Sequence, residues 1–146
     1  MSGGGRSVRT MTTRLAPYLN FPQGNARTAL EFYHSVLGGE LSINTFGQFG
    51  VQGPNADKVM HGQLEADALL LMAADAPADM VTVTPGDNIS VAVFGDDVEQ
   101  MHQWFAALSE GGEVAVPLAV QVWGDEFGSF ADQFGINWMF NVVARS

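Results

Sequence analysis

His61, Gln63 and Glu65 occupy alternate positions of the stretch His61–Ala66, and alternation along a strand puts their side chains on one face. Gly62 and Leu64 then face the other way, toward a helix. An imidazole titrates near neutrality, which makes His61 the best candidate in the chain for proton transfer. Tyr18 is a second candidate, and Glu65, four residues along on the same face, is the carboxylate that could partner His61. A structural histidine paired within the fold is the competing reading. His34 and His102 fall on helical stretches, and there is no His-Glu-x-x-His pattern. With no cysteine, the chain has no disulfide, thiolate metal site or cysteine nucleophile. Its Ser, Lys and Asp residues show no triad arrangement.

The same alternation collects Tyr18, Asn20, Asn88, Ser90, Asn137, Met139 and Asn141 on the face of His61 and Gln63, with Leu69 and Leu71 beside them. Amides donate and accept at once, which suits a polar ligand that needs both. The alternative is that they satisfy one another, the backbone or water. Trp123, in the loop Trp123-Gly124-Asp125, is placed either to stack on a ligand or to cover an edge of the core. Phe46 and Phe49 flank a Gly-rich loop with the make-up of a lid. Tyr18, Asn20, Gln63, Asn88, Trp123 and Met139 are the expected ligand-binding residues, and His61 the expected catalytic one.

The elements that must position these groups follow from periodicity. Residues 1–13 read as a flexible, Gly-rich tail, with either Met1 or Met11 as the start of translation. Leu15–Phe21 reads as a strand, and Ala26–Leu37 as a helix stopped by Gly38-Gly39. Leu41–Phe46, His61–Ala66 and Leu69–Ala73 are strands, and residues 75–86 a linker. In the second half Asn88–Val93 is a strand, with Ile89, Val91 and Val93 toward the helix, and Val98–Leu108 is a helix stopped by Gly111-Gly112. Val114–Val122, Phe127–Ala131 and Ile136–Val143 complete it as strands. Phe32 and Phe105, like Gly38-Gly39-Glu40 and Gly111-Gly112-Glu113, are 73 positions apart. The order βαβββ therefore occurs twice, as module one (about 14–74) and module two (about 87–144) of one domain over 14–146. The expected class is α+β, with two tandem βαβββ modules forming a curved, mostly antiparallel sheet around a cleft, helices outside.

Composition bounds the function. An apolar fraction of 47% with 15% charged residues is that of a folded chain. No apolar run reaches the roughly 18 residues of a membrane span, and the N-terminus lacks a signal-peptide core, so a cytoplasmic location and no membrane partner are expected. Six Lys+Arg against 16 Asp+Glu give a net charge of −10, with a single lysine. That balance excludes a phosphate-neutralising surface, so no nucleic acid is expected as a partner. An acidic field attracts cationic ligands, or simply keeps the protein in solution.

Several segments resemble, in order, the PhnB-like branch of the vicinal oxygen chelate superfamily (glyoxalase I, extradiol dioxygenases, bleomycin and fosfomycin resistance proteins). They are Pro17-Tyr18-Leu19-Asn20-Phe21, Ala29-Leu30-Glu31-Phe32-Tyr33, Met60-His61-Gly62-Gln63-Leu64, Gly86-Asp87-Asn88-Ile89-Ser90, Trp123-Gly124-Asp125-Glu126-Phe127-Gly128 and Asp132-Gln133-Phe134-Gly135-Ile136-Asn137-Trp138. The resemblance spans about Leu15 to Val143. It implies the tandem fold, and in metal-dependent relatives one ligand at the start of each module's first strand and one on its last. Strand alternation puts Ala16, Leu71, Asn88 and Met139 there, none of them a usual ligand of a catalytic divalent ion. No metal and no cofactor are therefore expected. Some relatives carry a methyltransferase label, but no Gly-rich nucleotide-binding turn follows a strand here.

Three functions compete. The first is a metal-free small-molecule binding protein, whose ligand the sequence does not name, in an amide- and aromatic-lined cleft. The second is an enzyme of unknown reaction using His61 for proton transfer on a small metabolite. The third is a regulatory or structural dimer with a vestigial cleft. Superfamily members commonly pair, so a homodimer is expected.

Overall fold

A computed structural model describes residues 13–144; the expected tail, apart from Thr13, lies outside the described residues. The first half runs β1 (Tyr18–Phe21), α1 (Ala26–Leu37), β2 (Glu40–Thr45), a short 3-10 turn (Gly47–Phe49), β3 (Val59–Ala66) and β4 (Leu69–Asp75). The second runs β5 (Val91–Gly95), α2 (Val98–Ser109), β6 (Glu113–Val120), β7 (Glu126–Ala131) and β8 (Asn137–Val142). Each half folds its strands into a four-stranded sheet, ordered β1-β4-β3-β2 and β5-β8-β7-β6. The β1–β4 and β5–β8 pairings are parallel and the others antiparallel. The class is α+β with the βαβββ order used twice, as expected.

The helices cover one face of the sheets and touch each other. Tyr33 and Leu30 of α1, and Phe105 and Leu108 of α2, are buried against Leu64, Leu71, Phe130, Trp138 and Phe140 of the strands. Tyr33 rather than Phe32 is the counterpart of Phe105, because α1 and α2 begin and end 72 positions apart. The Gly-Gly pairs stay 73 apart because one additional residue, Glu110, stands between α2 and Gly111.

Those pairs have a steric cause. A methyl group on Gly39 would lie 2.8 Å from the Glu65 carbonyl oxygen, and one on Gly112 would collide with that of Ala131. In both halves the chain leaving the helix enters its strand against the end of the neighbouring hairpin, where Glu40 pairs with Glu65 and Glu113 with Ala131.

Three expectations are corrected. Leu71 and Ala73 point into the core, so Leu70 and Met72 share the face of Tyr18 and Gln63. β4 reads LLLMAAD, apolar on both faces, and carries no period from which its phase can be told. β5 begins at Val91 instead of Asn88, which leaves Asn88 and Ser90 in the preceding loop. Ile89 is 79% exposed there and does not pack on the helix.

Candidate functional site

β3 brings His61 to the open face by breaking its own alternation. Val59, Gly62 and Leu64 are all buried, which a regular strand cannot do with that spacing. The β2–β3 ladder pairs Asn44 with His61 and Thr45 with Val59, so Met60 is the extra residue of a β-bulge. The bulge turns Val59 inward while His61 and Gln63 remain on the opposite face. Asp75, at the end of β4, pins it: Oδ2 accepts from the Val59 amide at 2.8 Å and Oδ1 from the Ala26 amide at 2.9 Å, at the start of α1.

On the open face a chain of hydrogen bonds links β3 to β1 and to the segment before β1. Arg14 donates to Glu65 Oε2 at 2.8 Å, and Gln63 Nε2 donates to Glu65 Oε1 at 3.1 Å. These bonds hold the Glu65 carboxyl below its ordinary range, Arg14 contributing most and Gln63 next. A carboxylate only accepts, so the Gln63 amide nitrogen must face Glu65 and its oxygen must face His61. Gln63 Oε1 lies 3.4 Å from His61 Nε2, which places the imidazole proton on Nε2. His61 Nδ1 then carries a lone pair and accepts from the Tyr18 hydroxyl at 3.1 Å. Burial pushes the Tyr18 phenol above its ordinary value, so it stays a proton donor at neutral pH. With its proton on Nε2 the imidazole accepts from the phenol, and its tautomer is set from a carboxylate through one amide.

The structure brings Tyr18, His61 and Gln63 together, with Asn20 two positions along β1 and Met72 paired to both Tyr18 and Gln63. The remaining site candidates belong to the second half. Met139 lies between Ala92 and Ser129 on the open face of its sheet. Asn137 donates to the Gly86 carbonyl at 3.2 Å, and Asn141 to Asp125 at 2.9 Å. Trp123 is 59% exposed and meets Phe127 edge-on. Phe46 is buried and Phe49 exposed, so the two do not form one flap.

Between the halves lies a cavity of about 510 Å³. Tyr18, Asn20 and Asn25 wall it from the first half, and Ser90, Phe134 and Asn137 from the second. Tyr18 and Asn20 thus belong both to the hydrogen-bonded face and to this seam. Asn25, Phe134 and the Arg14–Glu65 pair were not anticipated. Both lie outside the helices and strands, Asn25 just before α1 and Phe134 between β7 and β8, where no periodicity signals a cavity wall.

The positions where related folds hold a metal offer Ala16, Met72 in place of Leu71, Asn88 and Met139. Two thioethers, one amide and a methyl do not make a set for a hard divalent ion. Among the described residues no group of three or more His, Asp or Glu could hold a metal ion. The residues present do not fit the metal of those related folds. Among the described residues no helix is long and apolar enough to cross a membrane.

Residues 16–140 match the family model of the Glyoxalase/Bleomycin resistance protein/Dioxygenase superfamily. Protein YjdN of Escherichia coli K12 is 28% identical, over 90% of this chain and 96% of its own length. Protein PA1353 of Pseudomonas aeruginosa superposes with a TM-score of 0.81 at 35% identity, covering 90% of this chain and 98% of that one. A PhnB protein from Bacillus cereus shares the fold with a TM-score of 0.72 at 24% identity, covering 90% and 100%. The tandem βαβββ order and the family match over residues 16–140 show that the chain belongs to the glyoxalase/bleomycin resistance/dioxygenase superfamily.

Proposed function

We propose that the protein binds a small organic molecule in a cleft lined by amides and aromatic rings, and that it does so without a divalent metal. The observation that carries this reading is the seam cavity, walled by both halves and open beside Tyr18 and Asn20. Its volume of about 510 Å³ falls among small-molecule pockets, which span roughly 300–1,000 Å³. Gln63, Asn88, Trp123 and Met139 are proposed to extend the binding face beyond the seam. The donor set at the metal positions supports a role independent of the superfamily's metal chemistry. A thermal-shift screen of aromatic and cationic compounds tests the reading. Binding compounds raise the melting temperature by mass action, and a flat response across the library would contradict it.

A second reading is favoured by one specific observation, the Tyr18–His61 hydrogen bond with its tautomer-setting partners. Under it the protein is an enzyme that moves a proton on the bound molecule through Tyr18 and His61. A compound that binds and is then altered by the wild type but not by His61→Ala would establish it. We also propose that two copies pair. The edge strand β6 leaves Val114, Val116 and Val120 exposed, and sedimentation giving only a monomer would contradict pairing.

A further inference from the structure

Resting on the binding reading above, we infer that Glu65 is a positioning residue for ligand selection. Through Gln63 and His61 it fixes the Tyr18 hydroxyl as a hydrogen-bond acceptor toward the cleft, and so selects a ligand that presents an N–H or O–H donor to it. Every bond in the chain from Glu65 to Tyr18 has a sense, and one end sets them all. The bond from Arg14 at 2.8 Å does most to hold the Glu65 carboxyl below its ordinary range, so at neutral pH it is ionised and only accepts. Gln63 therefore turns Nε2 to Glu65, at 3.1 Å, and Oε1 to His61 Nε2, at 3.4 Å. His61 Nδ1 is left to accept from the Tyr18 hydroxyl at 3.1 Å. A phenol has a single O–H, and here it is committed to His61, so Tyr18 offers a ligand only its oxygen lone pairs. Reversing one member alone sets two acceptors against each other. A turned Gln63 amide would point Oε1 at the carboxylate, and the other imidazole tautomer would point a bare Nε2 at Gln63 Oε1.

A ligand reaches this hydroxyl. Tyr18 is 45% exposed and lines the seam cavity, whereas Glu65 does not line it. Asn20, Gln23 and Ser90 also line the cavity, and their amides and hydroxyl donate and accept alike. They adapt to a ligand of either kind, while Tyr18 is held to one sense. An acceptor ligand gains the Tyr18 proton only by giving up the His61 bond, and a donor ligand adds a bond without loss. The selection thus comes from a carboxylate outside the cavity, three hydrogen bonds away from the group that meets the ligand.

The test is an NMR titration of the full chain near neutral pH with two uncharged fused-ring probes of similar size. Indole brings an N–H that only donates, and quinoline a ring nitrogen that only accepts. Indole should shift the Tyr18 and His61 resonances and bind about fivefold more tightly than quinoline. In Glu65→Leu nothing orients the Gln63 amide, and the preference should fall to about twofold or less. Gln63→Lys places a group that only donates against His61 Nε2, so the relay should reverse. Long-range ¹H–¹⁵N spectra should then show His61 as the Nδ1–H tautomer, and quinoline should become the tighter probe, an inversion that loss of packing does not produce. Equal binding of the two probes to the wild type would overturn the selection, and that comparison needs no variant. A preference unchanged in Glu65→Leu, or an Nε2–H tautomer kept in Gln63→Lys, would overturn the role of Glu65. Each of these results leaves the binding reading standing. Failure of both probes to shift any resonance of the wild type would overturn the inference and the binding reading beneath it.

Discussion

The Tyr33 hydroxyl on α1 donates to Asp132 Oδ2 at 2.5 Å, joining the helix of the first half to the turn before β8 in the second. Trp138 Nε1 donates to the same oxygen at 2.9 Å, and the amides of Phe134 and Ile136 reach Oδ1 at 2.9 and 3.0 Å. Burial pushes the Tyr33 phenol far above its ordinary value, with the neighbouring Asp132 charge adding to the effect. Four donors converge on one buried carboxylate, so the seam's geometry depends on it. Tyr33→Phe should cost about 2 kcal/mol by losing one charge-assisted bond. Asp132→Ala, which strands four donors, should cost about 3–5 kcal/mol. Urea denaturation of both variants checks the order; equal losses would show that the carboxylate is not the hub.

His61 should be found as the Nε2–H tautomer in the free protein, because Glu65 fixes the Gln63 amide and Gln63 fixes the imidazole. Long-range ¹H–¹⁵N correlation spectra read the tautomer directly. Glu65→Leu should release Gln63 and give a mixture of tautomers, with little change in stability since the Arg14–Glu65 pair is about half exposed. A dominant Nδ1–H form in the wild type would break the proposed chain at its centre.

Asp75→Ala should cost about 2–4 kcal/mol, since the amides of Val59 and Ala26 both lose an ionised acceptor. The loss should be local to the bulge and the first turn of α1. Hydrogen exchange at Val59 and Ala26 should rise more than at Leu108, which lies in the core of the other half. Uniform acceleration would assign Asp75 a merely global role.

Asp125 accepts from the Ala144 amide and the Asn141 side chain, and these bonds, the backbone one first, hold its carboxyl below the ordinary value of 3.8. A carboxyl with a depressed folded value adds stability above its unfolded value, and that stability is lost as pH falls through the folded value. In the wild type the link of β8 and the C-terminal residues to Asp125 should therefore loosen only below about pH 4. Asp125→Asn should remove that acid-dependent step while leaving the neutral-pH fold in place. An unchanged acid profile would contradict it.

How much of this was legible before the fold was known differs from element to element. Both helices and the doubled βαβββ order follow from apolar spacing and the Gly-Gly stops, because those stops answer a local steric demand. The alternation of β8 is also plain, since the apolar Trp138, Phe140 and Val142 alternate with a set that holds the amides Asn137 and Asn141. β4 gave no such contrast, and its phase slipped by one residue, exchanging Leu71 for Met72. The bulge at Met60 left the phase of His61, Gln63 and Glu65 intact, because all three lie beyond it. Tyr18, Asn20, Ser90 and Asn137, which alternation gathers on one face, do line the seam cavity. Asn25 and Phe134 lie outside any strand, where no alternation sets the direction of a side chain.

The most direct test of a small-molecule site that works without metal is to titrate a compound found by the thermal-shift screen into the protein before and after exhaustive EDTA treatment. We expect the same dissociation constant in both, with no gain on adding zinc or nickel. Binding that vanishes with EDTA and returns with the ion would contradict the proposal and make a metal part of the site.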